Sequence, residues 1–162
     1  MREFVSIPEQ RLKIVTSDKR IVRKLEELSN TRIKINKVVC VEGEDPVSIM
    51  KVIDALKAFG RGFSFEDSLQ LLKEDYVLEI VSVKEYSKSK KRRLSLRGRV
   101  IGFKGLAKSN IERYTNTKIA VYGNTVSIIG KWEDVQKAKK AVEMLLSGKP
   151  HAIVYMFLEG RL

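Results

Sequence analysis

Shifted along itself by 86 residues, this chain meets its own pattern. Ser29-Asn30-Thr31-Arg32-Ile33-Lys34-Ile35 falls on Thr115-Asn116-Thr117-Lys118-Ile119-Ala120-Val121. Upstream, Ile21, Leu25 and Leu28 fall on Ala107, Ile111 and Tyr114, the i, i+4, i+7 stripe by which a helix buries one face. Downstream, Ile49, Val52, Leu56 and Phe59 fall on Val135, Ala138, Val142 and Leu145, a second amphipathic helix. Between these helices lie β-branched runs, Arg32 to Ile35 with Val38 to Val41 in one copy and Lys118 to Tyr122 with Thr125 to Ile129 in the other. Tyr122-Gly123-Asn124 supplies the residues of a tight hairpin turn. A repeat of this length makes the chain two copies of one supersecondary unit.

Each copy reads as an opening strand, a short helix, a loop, a second helix, two antiparallel strands and a closing helix. Phe4 to Ile7 and Tyr76 to Val83 are the candidate opening strands. Gly60-Arg61-Gly62 and Gly148-Lys149-Pro150 punctuate the ends of the closing helices. Ser64-Phe65-Glu66-Asp67 is a capping box that opens a short connecting helix through Leu72. The expected organisation is α+β: a module over 1–62, a connecting helix over 63–75, a second module over 76–150 and an extension over 151–162. Within the extension, Ala152 to Leu158 fits a final helix or an added strand, and the pairs Ile153 with Phe157 and Val154 with Leu158 favour the helix.

At 162 residues and 43% apolar, the chain can bury a substantial core. Its formal charge of +12 is unevenly placed. Residues 1–75 hold 14 basic and 13 acidic side chains, and residues 76–162 hold 18 and 7. Such asymmetry points to a polyanion, with nucleic acid ahead of a membrane surface because no basic stretch is paired with a strong apolar helical face. The N-terminal residues lack the apolar run of a secretory signal, and Ala152 to Leu158 is too short to span a bilayer, so an intracellular, cytoplasmic protein is expected. Cys40 is the only cysteine and fills a strand position as a small hydrophobe, and His151 is the only histidine, so no metal or nucleophile constellation is visible. Neither an enzyme nor a cofactor is expected.

The repeat places Gly102-Phe103-Lys104-Gly105 between the first and second helices of the second copy. Two glycines around a bulky and a cationic residue let backbone amides approach an anionic strand, and a helix starting at Leu106 would add its positive dipole end. This order of elements resembles the KH module of type I, a three-stranded antiparallel sheet packed on three helices. Arg99-Val100-Ile101-Gly102-Phe103-Lys104-Gly105 is the matching stretch. The resemblance implies that the loop clamps the backbone of about four single-stranded nucleotides while bases lie in a groove of Ile101, Lys108, Ile111 and the strand Lys118 to Val121. Ile101, Ile111, Ile119 and Val121 are side chains more often core than contact surface, whereas Phe103 at the loop tip has no obvious core to fill and could stack on a base or ribose, or dock on a protein.

The first copy has Thr16-Ser17-Asp18-Lys19 at the corresponding loop, with neither glycine and with an acid that would repel a phosphate. Its module is expected to pack against, orient or extend the second, or to bind protein, with a weaker RNA contact through Lys13, Lys19, Arg20 and Arg23 left open. Ahead of the second loop an insertion, Lys84 through Arg97, carries Lys88, Lys90, Lys91, Arg92 and Arg93. From Lys84 to Arg113 there are eleven basic residues against Glu85 and Glu112. The run reads as a solvated mobile loop, as a localisation signal, or as an extension of the RNA grip rewarded by counterion release. The candidate RNA contacts are Arg92, Arg93, Arg97, Arg99, Ile101, Gly102, Phe103, Lys104, Gly105, Lys108 and Lys118.

The whole chain resembles the two-KH ribosome-assembly factors shared by archaea and eukaryotes, partners of the endonuclease Nob one. Three stretches carry this: Gly60 to Asp67, Gly98 to Gly105, and Ile128-Ile129-Gly130 with Leu146 to Pro150. The degenerate first loop fits the family as well. The resemblance implies binding of single-stranded RNA near the 3′ end of the small-subunit rRNA precursor and assistance or timing of the endonuclease maturing that end; a monomer is expected. The alternative is a protein-protein adaptor or translation-linked scaffold built on degenerate KH folds. Against it stands the contrast between the loops, since a pure scaffold has no reason to keep Gly-x-x-Gly and concentrate charge in one half.

Overall fold

The opening strand β1 runs Arg2–Val5, two residues earlier than Phe4 to Ile7. Its partner sets the frame: β3 (Val39–Glu42) offers four residues, and Arg2, Glu3, Phe4 and Val5 pair antiparallel with Glu42, Val41, Cys40 and Val39. Ile7 has already left the sheet, where it is buried ahead of Pro8, which has no N–H to give a ladder. On the other side of β3, β2 (Arg32–Ile35) also pairs antiparallel, giving the order β1-β3-β2. Val39 and Val41 point inward with no exposure while Cys40 faces the other way, the period-2 alternation of a half-buried sheet.

The structure, a computed structural model, describes residues 1–162 and divides into two units, Met1–Tyr76 and Val77–Leu162. In the first, helices α1 (Glu9–Ser17) and α2 (Lys19–Ser29) precede β2, and α3 (Pro46–Gly60) follows β3. The start of α3 is fixed by Asp45, whose Oδ1 accepts the Val47 amide at 3.1 Å, and by Pro46 in the first turn, where its missing N–H costs nothing. Ile49, Val52 and Leu56 are the buried stripe read from the sequence. Each such side chain removed from water contributes about 1.5–3 kcal/mol. Ser64 Oγ accepts the Asp67 amide at 3.1 Å and opens α4 (Phe65–Leu69), which tightens into a 3₁₀ turn through Leu72.

The second unit repeats the plan. After β4 (Tyr76–Ser82) come a 3₁₀ turn over Val83–Glu85, α5 (Lys90–Ile101), a single turn over Phe103–Gly105, and α6 (Leu106–Thr115). Strands β5 (Lys118–Tyr122) and β6 (Thr125–Lys131) form the expected hairpin, closed by the pair Tyr122 and Thr125, in a sheet of order β4-β6-β5. Helix α7 (Trp132–Leu146) lays Val135, Ala138, Val142 and Leu145 into the core with Leu96, Val100, Ile111 and Ile128. Residues His151–Leu158 form helix α8, and Val154 and Leu158, one turn apart, join the same core. This settles the Ala152 to Leu158 alternative in favour of the helix. No helix is long and apolar enough to cross a membrane.

Two expectations are corrected. Most of the basic stretch Lys84 through Arg97 is no mobile loop, because Ser89 caps α5 through the Arg92 amide and Leu96 and Val100 bury its inner face. Thr16 to Lys19 is not a loop either. Thr16 and Ser17 are the last residues of α1, Lys19 is the first of α2, and Asp18 alone separates the helices as the N-cap of α2.

The repeat extends to hydrogen bonds. Glu26 Oε2 accepts the Ile33 amide at 3.0 Å, and Glu112 Oε2 accepts the Ile119 amide at 2.9 Å. Asn30 and Asn116 end α2 and α6 in the same left-handed conformation, φ 54° and ψ 46°. The hydroxyl pairs Ser29 with Thr31 and Thr115 with Thr117 sit at 2.7 and 2.8 Å.

Candidate nucleic-acid interface

Gly102 ends α5 with φ 76° and ψ 176°, and its amide still donates to the Gly98 carbonyl at 2.8 Å. Glycine is required here twice over. The positive φ disfavours a side chain, and a Cβ would stand 2.6 Å from Ala107 Cβ and 2.7 Å from the Ala107 amide nitrogen. Gly105 has φ 77° but open space around it, so only its conformation calls for glycine. Between them Lys104 takes the left-handed conformation, φ 53°, which turns the chain back into α6. The result is a tight protruding turn whose side chains point outward. Phe103 is 80% exposed, and Lys104 Nζ stands 5.4 Å from its ring centre.

Along the chain the charge flanking this turn has one sign, since no acid occurs between Glu85 and Glu112. No side chain caps the start of α6, which leaves its positive end open beside the turn. Backbone curvature, an aromatic tip and surrounding cations together can hold phosphates and stack a base.

The other candidate residues divide by what they already touch. Arg92 and Lys118 are exposed, and Ile101, at 37% exposure, lies at the edge of the turn. Lys108, three residues beyond Gly105 and partly covered, pairs through Nζ with Glu112 Oε1 at 3.5 Å. Arg93 donates to the carbonyls of Ser87 and Lys88, at 3.3 and 2.9 Å, and so ties down the segment before α5. The Nε of Arg97 is buried without a partner. Arg99 is spent on the fold: its Nε donates to the Leu145 carbonyl at 3.0 Å and its Nη2 to the Lys149 carbonyl. Ile111 and Ile119 are core, with 0% and 3% exposure, so neither offers a base a surface; Val121 is half-buried.

Arg99 has a counterpart that simple alignment misses. Arg11 Nε donates to the Phe59 carbonyl at 2.8 Å and its Nη2 to the Phe63 carbonyl at 2.6 Å. The accepting carbonyls are 86 residues apart in each pair, but the arginines are 88 apart, because α1 runs on to Ser17 with Asp18 alone before α2, whereas α5 stops at Ile101 and the turn Gly102 to Gly105 follows. An arginine matched to the end of the closing helix, with the register allowed to slip, is the signal that finds both.

In the first unit the equivalent junction cannot form the same turn, since one residue connects the helices. Asp18 is no bare repelling charge either. Its carboxylate accepts the Arg20 amide at 3.1 Å and pairs with the Arg20 guanidinium at 3.0 and 3.1 Å, and these hydrogen bonds hold it below the ordinary carboxylate range. Nowhere in the chain do three or more His, Cys, Asp or Glu side chains gather as a metal site.

The eukaryotic-type KH-domain family, KH-domain type I, matches residues 77–161. A KH domain-containing protein of Methanocaldococcus jannaschii is 40% identical over 97% of this chain and 72% of its own length. The pre-rRNA-processing protein PNO1 of Saccharomyces cerevisiae is 34% identical over 68% of this chain, and the match spans 41% of the yeast protein. Among solved structures, Dim2p of Pyrococcus horikoshii, crystallised in complex with a/eIF2alpha and rRNA, superposes with a TM-score of 0.91 at 36% identity, over 99% of this chain and 93% of that one.

Proposed function

The chain belongs to the PNO1/Dim2 family of type I KH-domain proteins, and we propose that it binds single-stranded RNA near the 3′ end of the small-subunit rRNA precursor. In this reading it acts as a monomer in the cytoplasm and cuts nothing itself. It holds the strand so that a separate endonuclease matures that end. The relatives' names support the direction: one is a pre-rRNA-processing protein and one was crystallised with rRNA.

The observation that carries the proposal is the Gly102 to Gly105 turn. It is built by two positive-φ glycines, tipped by an 80% exposed Phe103, and set in a stretch of chain with no acid between Glu85 and Glu112. Phosphate contacts of this kind supply affinity and position, and the base surfaces beside them supply choice. Arg92, Lys104 and Lys118 remain available to the strand, while Arg99 acts by holding α5 to the end of α7. The second module is the RNA reader over 76–150, and the first, over 1–62 with its connecting helix, lacks the clamp.

The test is a cleavage assay on a precursor ending in the small-subunit 3′ region, with the rRNA-maturing endonuclease and increasing amounts of this protein. The proposal expects protection or cross-linking of the strand at that end and a changed cleavage rate. A strand footprint elsewhere, with cleavage unaffected, contradicts it.

A further inference from the structure

A second groove opens behind the turn, with a lining that includes Gly98, Arg99, Gly102, Phe103, Leu106, His151 and Tyr155. It draws no residue from the sheet. It also shares none with the groove of Ile101, Lys108, Ile111 and Lys118 to Val121 on which the first reading of base contacts rests. Its walls are α5, the start of α6, and α8, all within the second unit.

Four features decide what fits it. Its surface is mainly apolar and partly aromatic, with Phe103 and Leu106 exposed by 80% and 55%. His151 Nε2 is bonded to the Arg99 carbonyl at 2.9 Å, which fixes that ring in the wall 6.3 Å from the ring of Tyr155. Gly98 sits in the last turn of α5, three residues before its end, and a Cβ there would meet nothing within 4 Å. A poor helix former on an open face leaves bare backbone on which a flat group can lie. Finally, no carboxylate lines the groove, Arg99 is among its lining residues, and two exposed lysines adjoin it, Lys104 beside Phe103 in the chain and Lys149 through the bond of its carbonyl to Arg99. An acidic strand is matched by this charge, and the groove begins at Gly102 and Phe103, the residues of the clamp itself.

We infer that this groove is a second base subsite, receiving the base of a nucleotide that flanks those held by the Gly102 to Gly105 turn, stacked among Phe103, His151 and Tyr155. The inference rests on the RNA-binding reading above and adds to it a place outside the sheet-side groove. Strand continuity then lengthens the bound RNA by at least one nucleotide. Stacking of one base is an interaction that any base can make, so the subsite adds affinity with little sequence choice.

The test uses the full chain and oligoadenylates of four and six nucleotides, read by fluorescence anisotropy. The wild type is expected to bind the hexamer about tenfold or more tightly than the tetramer, the range one stacked base gives. Gly98→Leu fills the groove from a position with open space and improves helix propensity, so its melting temperature should hold or rise. It should bind the tetramer as the wild type does and lose most of the gain on lengthening. A hexamer with abasic sugars at both ends should lose that gain against the wild type, a measurement that stands even if the variant misfolds. Full gain in Gly98→Leu, as a groove serving a protein would show, or full gain with the abasic hexamer, overturns the subsite alone. Failure of the wild type to bind either oligonucleotide overturns the clamp reading and the subsite with it.

Discussion

The Arg99 guanidinium donates to the main-chain carbonyl of Leu145 at 3.0 Å, and this contact joins the helix that enters the clamp to the end of the closing helix. Arg11 and Phe59 make the same connection in the first unit at 2.8 Å. The Leu145 and Phe59 carbonyls each also accept a backbone N–H, from Gly148 and Gly62, and a charged donor added to such a carbonyl is worth about 1–3 kcal/mol. Arg99→Ala should therefore lower the melting temperature of the second unit by several degrees, with Arg99→Lys recovering little because one ammonium cannot span both carbonyls. Unfolding followed by calorimetry checks this. An unchanged melting temperature with weakened RNA binding would return Arg99 to the contact surface.

The two clamp glycines should differ in what their replacement costs. Gly105→Ala meets only an unfavourable positive φ, a cost of about 1–2 kcal/mol. Gly102→Ala adds a collision with Ala107, so its loss should be clearly larger and should shift α6 against α5. Chemical denaturation of both variants gives the order, and equal losses would contradict the geometry.

The exposed cations at the start of α5 should act through salt. Each phosphate neutralised on a single strand contributes about −0.7 to the slope of log affinity against log salt. Replacing Lys90, Lys91 and Arg92 by Gln should flatten that slope without changing the fold, since all three are exposed. A slope that stays the same would leave α5 outside the contact.

Asp54 gives a pH prediction in the first unit. Half-buried in α3, its carboxyl is held above the ordinary value of 3.8 by burial, only partly offset by Lys57. The folded state therefore holds the proton more tightly than the unfolded one. Stability falls as pH rises from near 3.8 through the raised folded value, and the loss persists above it. Asp54→Asn should accordingly stabilise the protein at pH 7 and have less effect near pH 3. Melting curves at the two values check the sign.

The architecture was legible because the two units repeat the same apolar spacing: Leu25 and Ile111, or Leu56 and Val142, bury the same faces. Gly102 to Gly105 was legible because glycine at a positive φ leaves a mark in the sequence. What spacing could not convey was which polar groups are already occupied. Arg99 and Arg92 look alike in a basic run, yet one is bonded to two carbonyls and the other is free of the fold. Asp18 likewise reads as a charge until its capping bond and its pairing with Arg20 are seen. The groove behind the turn was invisible for a related reason, since Gly98, Leu106 and Tyr155 come together only when α5, α6 and α8 pack.

The central claim is that the tip of the Gly102 to Gly105 turn holds single-stranded RNA. Its most direct test is the affinity of Phe103→Asp/Lys104→Asp for an oligonucleotide from the small-subunit rRNA 3′ end, measured beside the wild type at one salt concentration. Both side chains are exposed, so the fold should survive the change. The account predicts an unaltered melting temperature and loss of most of the affinity; unaltered affinity in the folded double variant would contradict it.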